Sequence, residues 1–384
     1  MNIIEHISKK KCMMLGIGPM SKNCVDVVIE LANRYEIPLM LIASRRQIET
    51  EKIGRGYVNN WSTEEFSRYV KERDNKNNII LCRDHGGPYQ NENEDNKNKS
   101  FEEVMNDAKK SFRADIESGF KIIHIDPSEN LTSKLKVEEM IERIFELYEF
   151  CYTVAKENQS EIYIEISIGK EDGEISNFLD IKCSIEKIEE FCKEKNFPLP
   201  LFFVIKTGNH VLETQNVGIL DDIVEGKYEK EKNEILKMID FCKSKNIFVK
   251  EHNGDYLLEK TLREHPKMGI DAVNVAPEFG VVETRAILSF FKENDINKFR
   301  QRFLDISFNS NKWKKWMIPN SDKSNIDKAI ISGHYVFSSR DFIELKKEVV
   351  ETLRNKEDFD KFLKSEIKKS ILKYLQQLKI LQKI

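Results

Sequence analysis

The strongest constraint on the fold is an alternation, repeated eight times, of a short apolar run and a helical pattern. The runs occupy residues 12–18, 38–44, 78–85, 120–127, 161–169, 201–208, 247–254 and 270–277. Parallel strands that are buried on both faces have such continuous apolar sequences, and each needs a crossover helix before the next strand. The alternation therefore predicts an α/β fold, a (β/α)8 TIM barrel, over residues 1–300. An open doubly wound sheet is the alternative, but Gly16 and Gly18 make a poor phosphate-binding turn after the first run.

The remaining part of the chain, residues 301–384, has a different pattern. It is rich in Lys and Glu and contains no clear further strand. Leu372, Leu375, Leu378 and Leu381 form a stripe with helical spacing, and Lys and Gln residues interrupt it. We predict a helical C-terminal extension that packs on the barrel or on a partner subunit rather than in a membrane.

Charge and cysteine content restrict the class of protein. Lys and Arg total 62 and Asp and Glu total 65, for a net charge of -3, which argues against nucleic acid or an anionic membrane as a partner. The seven Cys show no CxxC spacing, so neither a disulfide framework nor a zinc ribbon is expected. The N-terminus does not resemble a signal peptide and no apolar run reaches membrane-spanning length, which predicts a cytoplasmic protein.

Polar residues recur where the predicted strands end. Asp84 and His85 lie at the end of the third run and precede a Gly-Gly-Pro sequence that stops the strand. In isolation this pair is also typical of a turn with a surface His. The carboxyl ends of barrel strands share one face, however, so polar residues at all of these ends converge. They are Asp84, His85, His124, Asp126, Glu165, Lys206, His210, Glu251, His252, Asn274 and Glu278.

The histidines in this set indicate a metal site. His85, His210 and His252 lie at or just after strand ends, and three imidazoles with one open position bind a catalytic Zn²⁺ or a similar divalent ion. We predict these three as metal ligands, whereas His124 lies inside its strand and is predicted to be a core or supporting group. Lys206 is an alternative Schiff-base nucleophile for a metal-free aldolase. Glu165 either ligates the metal or pairs with Lys206.

Several short motifs occur in an order that resembles one known family. They are Asp-His-Gly-Gly-Pro at residues 84–88, residues 118–126, residues 251–256, and residues 275–277 before a helix with Arg285. This order resembles the class II tagatose-bisphosphate aldolase family, in particular the branch named as its non-catalytic subunit, from about residue 12 to about residue 335. The resemblance implies a zinc-dependent barrel that acts on ketose phosphates. Some relatives of the branch resemble C4 epimerases of ketoses or ketose phosphates.

The resemblance also implies roles for individual residues. His85 and His252 match metal ligands of the family, and Asp84 matches its acid/base residue. The branch tends to have Glu at the position of His210, where a His resembles the catalytic aldolases. Arg83 and Gly86 depart from the usual Gly-Asp-His-Leu-Gly-Pro sequence.

Together these observations predict metal-dependent aldol and retro-aldol chemistry on a ketose phosphate, as a C4 epimerase or a tagatose-bisphosphate-type aldolase. The alternative is a non-catalytic subunit that stabilises a separate class II aldolase, so a second copy of the chain or such an aldolase is the expected protein partner. Asp84, Glu165 and Lys206 are the predicted catalytic residues. The predicted substrate-binding residues are Arg45, Arg46, Asp126, Asn253, Asp255, Asn274 and Glu278. The polar residues 90–100 are predicted to form a mobile cover.

Overall fold

A computed structural model describes residues 3–10, 13–91, 98–131, 135–170, 172–353 and 356–381. Its strands are β1 (Met14–Ile17), β2 (Leu39–Ser44), β3 (Ile79–Gly86), β4 (Ile122–Ile125), β5 (Tyr163–Ile166), β6 (Phe202–Val204), β7 (Val211–Leu212), β8 (Gln215–Asn216), β9 (Phe248–Glu251) and β10 (Ala272–Val275). Eight of them close a parallel barrel in the order β1-β2-β3-β4-β5-β6-β9-β10, with β10 beside β1. The short strands β7 and β8 form a separate antiparallel hairpin. The predicted (β/α)8 barrel is confirmed.

Helices separate the barrel strands and continue beyond them. They are α1 (Ile3–Lys10), α2 (Lys22–Tyr35), α3 (Thr63–Lys71), α4 (Phe101–Glu117), α5 (Val137–Glu157), α6 (Phe178–Lys195), α7 (Leu220–Val224), α8 (Glu229–Ser244), α9 (Glu259–Met268), α10 (Pro277–Glu293), α11 (Asn297–Asn309), α12 (Asn325–Ser332), α13 (Arg340–Leu353) and α14 (Lys356–Gln377). Capping boxes fix the starts of α3 and α4, where Ser62 and Ser100 accept the N–H groups of Glu65 and Glu103. None of the helices described for this chain is long and apolar enough to cross a membrane.

The barrel interior is apolar near the amino ends of the strands. Met14, Met40, Ile80 and Cys82 belong to a buried cluster there, together with Phe202. Because successive residues of a strand face opposite sides, the inward position after Cys82 is two residues further along β3. The polar residues of the carboxyl ends therefore lie above an apolar floor.

The C-terminal part is helical, as predicted, and has a small core of its own. Phe291, Phe303, Phe342 and Leu345 belong to this second apolar cluster, which includes residues of α10, α11, α13 and α14. Helix α14 then packs against α2 and α10, and its Ile371 belongs to the main barrel core. The predicted extension thus lies against the barrel, while its division from the barrel at residue 300 stays a prediction.

Candidate active site

At the end of β3, two consecutive side chains point into the same cavity. The pairing of β3 with β4 shifts register between Arg83 and Gly86, which is a β-bulge. His85 has the left-handed φ of 45° at this point. A Cβ atom on Gly86 would lie 2.7 Å from the carbonyl oxygen of His124, so only glycine allows this close approach. As a result Asp84 and His85 both line the cavity at the carboxyl end of the barrel.

Three imidazoles surround Asp84. His124 Nδ1 lies 3.7 Å from Asp84 Oδ1, His252 Nε2 lies 3.8 Å from the same oxygen, and His85 Nε2 lies 3.9 Å from Oδ2. The centroids of the three rings are 5.1 to 5.4 Å apart. On the other side, the Nδ2 of Asn274 donates to Asp84 Oδ1 at 3.1 Å. Asp84 is therefore oriented by a neutral amide and lies beside three basic rings.

Protein groups also orient each imidazole. The Nδ1 of His85 lies 2.8 Å from Asp126 Oδ2, which directs the Nε2 of the ring toward Asp84. The Nδ1 of His124 accepts the backbone N–H of His85 at 3.1 Å. Its Nε2 is therefore the protonated nitrogen, and it donates to Ser167 Oγ at 2.9 Å. The contact between His85 and Asp126 is typical of an imidazole that binds a metal through its other nitrogen.

Glu165 connects the third imidazole to a buried cation. Its Oε1 lies 2.9 Å from His252 Nε2, and its Oε2 accepts from Lys250 Nζ at 2.7 Å. Glu165 and Lys250 are both almost fully buried. The predicted alternative in which Glu165 pairs with Lys206 is wrong, because Lys250 projects into the barrel from β9 and takes that carboxylate.

The carboxylates of the cluster are ionised. Burial alone would raise the pKa of Asp84, but His85, His252 and His124 lower the pKa well below its ordinary value. Burial alone would also raise the pKa of Asp126, but His85, His124 and Ser128 together lower it. For Glu165, burial is opposed chiefly by Lys250, and its pKa is lowered to about 2. The site thus presents anionic oxygens and imidazole nitrogens together.

This set of donor atoms suits a divalent metal ion. One possible ligand group is His85, His124 and His252, and a second is Asp84, His124, Glu165 and His252, each with its ligand atoms within 4.8 Å of one another. Imidazole with carboxylate is a donor set that Zn²⁺ and similar ions bind. His124, which the sequence places inside a strand, therefore lies in the cluster itself.

His210 lies elsewhere on the same cavity. It lines the cavity from the loop before β7, and its backbone N–H donates to Asn216 Oδ1 at 3.4 Å. Among the residues that the structure describes, it belongs to neither group of potential ligands. Its role as the third metal ligand stays a prediction.

The two predicted arginines have different environments. Arg45 is buried, and it donates from Nε to Glu49 Oε2 and from Nη1 to the carbonyl oxygen of Gly87, both at 2.6 Å. Through Gly87, Arg45 stabilises the loop that follows β3. Arg46 instead lines the cavity and is half-buried. Of the pair, Arg46 is the one that can reach a ligand.

Lys206 pairs with Asp172. Its Nζ donates to the carbonyl oxygen of Lys170 and to Asp172 Oδ1, both at 3.0 Å. Lys170 and Asp172 line the main cavity, whereas Lys206 lines a small pocket behind it. The catalytic role predicted for Lys206 stays a prediction.

Asp255 and Glu278 organise the backbone around the start of α10. Asp255 accepts the N–H groups of Ala276 and Glu278 at 3.1 and 2.8 Å. Burial and the charge of Glu278 raise the pKa of Asp255 to about 8. Glu278 in turn accepts from the N–H of Tyr256 at 2.6 Å and from the hydroxyl of Tyr374 at 2.5 Å. Of these two acids, only Asp255 lines the cavity, beside Asn253.

Some cavity residues could not be identified as such from the sequence. The cavity has a volume of about 460 Å³. Gln90 lines it, is buried, and donates to Asp126 Oδ2 at 2.8 Å. Lys315, Trp316 and Tyr335 line it from the C-terminal extension, where the only signal was the cluster of Trp and Lys at residues 313–316. Residues 92–97, the centre of the predicted mobile cover, lie outside the described residues.

Comparisons with known proteins identify the fold. Neither a protein-family model nor a curated protein matches the chain. Among solved structures, a probable tagatose 6 phosphate kinase from Sinorhizobium meliloti 1021 is similar with a TM-score of 0.69 and 14% identity, over 94% of this chain and 99% of that one. The fructuronate-tagaturonate epimerase UxaE from Cohnella laeviribosi has a TM-score of 0.59 and 12% identity, over 96% and 81% of the two chains. Fructose-bisphosphate aldolase from Campylobacter jejuni has a TM-score of 0.58 and 11% identity, over 99% and 93%. At these identities the similarity establishes the barrel fold and not the activity.

Proposed function

We propose that the chain is a metal-dependent enzyme that cleaves and re-forms the C3–C4 bond of a ketose phosphate, as a C4 epimerase or a tagatose-bisphosphate-type aldolase. The observation that supports this most is the buried cluster of three imidazoles and two carboxylates at the carboxyl end of the barrel. Two fold neighbours are named as a fructose-bisphosphate aldolase and a fructuronate-tagaturonate epimerase, and those names favour the same reaction class.

Two of the residues that would bind the metal, His85 and His252, lie at the ends of β3 and β9. His210, which lines the same cavity, is the proposed third ligand. When bound, a divalent ion, which we propose to be Zn²⁺, would polarise the ketose carbonyl and stabilise the negative charge that develops on its oxygen. Asp126 and Glu165 contact His85 and His252, so they would fix the orientation of these rings.

Asp84 is the proposed acid/base residue. Its carboxylate would accept the proton of the C4 hydroxyl as the C3–C4 bond breaks and the C4 oxygen becomes an aldehyde. The electron pair of that bond moves toward the C2 carbonyl. On re-addition the same carboxylate returns the proton to the C4 oxygen. Asn274 donates to Oδ1 of Asp84 and so positions it for both steps.

One site can produce both reactions. If the aldehyde fragment leaves the cavity, Asp84 gives its proton to water and the remaining enediolate takes up a proton at C3, and the enzyme is an aldolase. If the fragment rotates and adds back through its other face, the product is the C4 epimer. An aldolase therefore releases two fragments, whereas an epimerase releases one intact sugar, and the products distinguish the two activities.

The direct test is to incubate the purified chain with a panel of ketose phosphates, with and without a strong chelator, and to follow the products by NMR. We expect either release of a triose fragment or a new C4 epimer, and loss of either signal with chelator. Turnover that survives removal of all metal, together with a borohydride-trapped adduct on Lys206, would replace this proposal with Schiff-base chemistry. A chain that is inactive alone but stimulates a separate class II aldolase would instead support the non-catalytic subunit.

A further inference from the structure

The C-terminal extension supplies one wall of the cavity. Lys315 and Trp316 lie in the 3-10 helix Lys312–Trp316, and the carbonyl oxygen of Trp316 accepts the N–H of Glu213 at 2.6 Å. The indole N–H of Trp316 donates to the hydroxyl of Tyr335 at 3.1 Å. The Nζ of Lys315 lies 4.8 Å from the ring centroid of Tyr335. These contacts position Lys315 at the cavity, where the residue is also exposed to solvent.

An aromatic contact joins this wall to the barrel. The rings of Tyr57 and Tyr335 have centroids 4.9 Å apart. The N–H of Tyr57 donates to the carbonyl oxygen of Arg46 at 3.0 Å. Arg46, Tyr57, Tyr335 and Lys315 all line the same cavity, so two cations and two aromatic rings face one space.

The carboxylates that line the cavity are already engaged. Asp84 accepts from Asn274, Asp126 contacts His85, Glu129 pairs with Lys170 at 2.9 Å, Asp172 pairs with Lys206, and Asp255 accepts two backbone N–H groups. Arg46 pairs with no carboxylate within the described part of the chain, and its Nε is buried without a hydrogen-bond acceptor there. A buried guanidinium N–H without an acceptor is costly, so a ligand oxygen at this point would stabilise the site.

We propose that Arg46 and Lys315 form a subsite for a terminal anionic group of the substrate, with Tyr57 and Tyr335 packed against its carbon chain. The inference rests on the proposed function, which places the reacting carbonyl at the histidine cluster. A planar guanidinium binds phosphate or carboxylate through two parallel hydrogen bonds, and an ammonium group adds a point charge. The substrate class is thus a ketose whose far end is a phosphate or a carboxylate, not a neutral ketose.

The test measures binding of fructose 6-phosphate, fructuronate and fructose to the full metal-loaded chain by calorimetry. Arg46→Gln and Lys315→Gln each remove one charge, and Lys314→Gln is the matched control, because Lys314 lies in the same 3-10 helix over the ring of Trp313 and does not line the cavity. We expect each of the first two changes to weaken binding of the anionic sugar roughly 10–100-fold. Fructose should bind weakly and equally to all four proteins.

The outcomes separate the two proposals and the two kinds of anion. If fructose 6-phosphate binds more tightly than fructuronate and loses affinity in both variants, the subsite recognises phosphate. If fructuronate does so, the subsite recognises carboxylate. Unchanged affinity in Arg46→Gln and Lys315→Gln, or an equal loss in Lys314→Gln, would overturn the subsite. Charge-dependent binding without any turnover would leave the subsite standing and would overturn the proposed function.

Discussion

Strand β3 buries an ionic group on each of its faces, and the two groups are built differently. On the outer face, toward the helices, Arg83 donates to both oxygens of Asp115 at 2.8 and 2.5 Å and to the carbonyl oxygens of Ala43 and Ile48 at 2.8 Å. On the inner face, Asp84 accepts from Asn274 and borders the cavity. The outer group is a closed set of hydrogen bonds, whereas the inner one is open to a ligand.

Strand β9 repeats this division. Glu251 faces outward, where its Oε2 lies 2.6 Å from His265 Nε2 and its Oε1 accepts from Thr207 Oγ1 at 2.8 Å. Lys250 and His252, on either side of it, face inward to Glu165. Burial of charge alone therefore does not distinguish structure from function here. What distinguishes them is the surroundings: a structural ionic group is enclosed by protein atoms, whereas a functional one also borders a cavity that a ligand can enter.

Asp84→Asn should have the largest effect on the inner group. The change keeps the size of the side chain but removes its basic oxygen, so turnover should fall roughly 10²–10⁴-fold, equivalent to about 3–5 kcal/mol in the barrier. The midpoint of thermal unfolding should change little. Steady-state kinetics and calorimetry on one preparation measure both quantities. Full turnover in a metal-loaded variant would mean that Asp84 is only structural.

Asp115→Ala should have the opposite profile. It leaves the Arg83 guanidinium buried without its carboxylate, which destabilises folded proteins by about 3–5 kcal/mol. Turnover per folded molecule should be nearly unchanged, because Asp115 lies on α4, outside the barrel. The free energy of unfolding in urea is the measurement. The double variant Arg83→Met with Asp115→Leu is the control, and it should recover most of the loss; equal instability of both would contradict a charge-pair explanation.

Asp126→Asn should have a smaller effect, confined to metal affinity. Asp126 contacts the Nδ1 of His85, and changes to such outer partners weaken metal binding about 10–100-fold. Competition with a chromophoric chelator gives the affinity. Asp172→Asn is the matched control, since Asp172 also lines the cavity but pairs with Lys206. A similar loss in both variants would show a general charge effect instead of support for one ligand.

The barrel was predictable because its sequence signal is local. Each strand buried on both faces is a continuous apolar run, so the eight strands could be counted without knowledge of their neighbours. The approach of Asp84 to His252 followed from the same fold, because carboxyl ends of parallel strands share one face. Asp84 and His252 are far apart in the sequence, but each lies at the carboxyl end of a barrel strand.

The contacts that were not predictable depend on two things: the position of each side chain along the barrel axis, and the choice of its partner among several candidates. The sequence places His124 inside a strand, yet the stagger of a tilted barrel brings it level with Asp84. In the pairing of β4 with β5, His124 lies opposite Glu165. Lys250 and Lys206 are both near strand ends, and only the three-dimensional arrangement shows which one reaches Glu165. Lys315 comes from a segment with no repeat to align it with the barrel.

The smallest expected effect concerns a buried histidine that has no role in the inner group. His334 packs on Tyr335 in the extension, and neither of its ring nitrogens has a hydrogen-bond partner within the described residues. Burial, with a contribution from the charge of Lys315, lowers the pKa of His334 to about 3. It differs from His85, whose ring is bound to a carboxylate.

This difference has a pH signature in stability. Below a pH of about 6.5 the unfolded chain protonates His334 and the folded chain does not, so the unfolded state binds more protons and stability falls as the pH falls toward 3. The stabilisation is fully present above pH 6.5. His334→Phe removes this titration, so the wild-type chain should lose about 1.4 kcal/mol relative to the variant for each pH unit between about 5.5 and 4. Urea unfolding of both proteins across this range measures the slope. Parallel curves for the two proteins would mean that His334 titrates equally in the folded and unfolded chains, and that its burial imposes no cost on the charged ring.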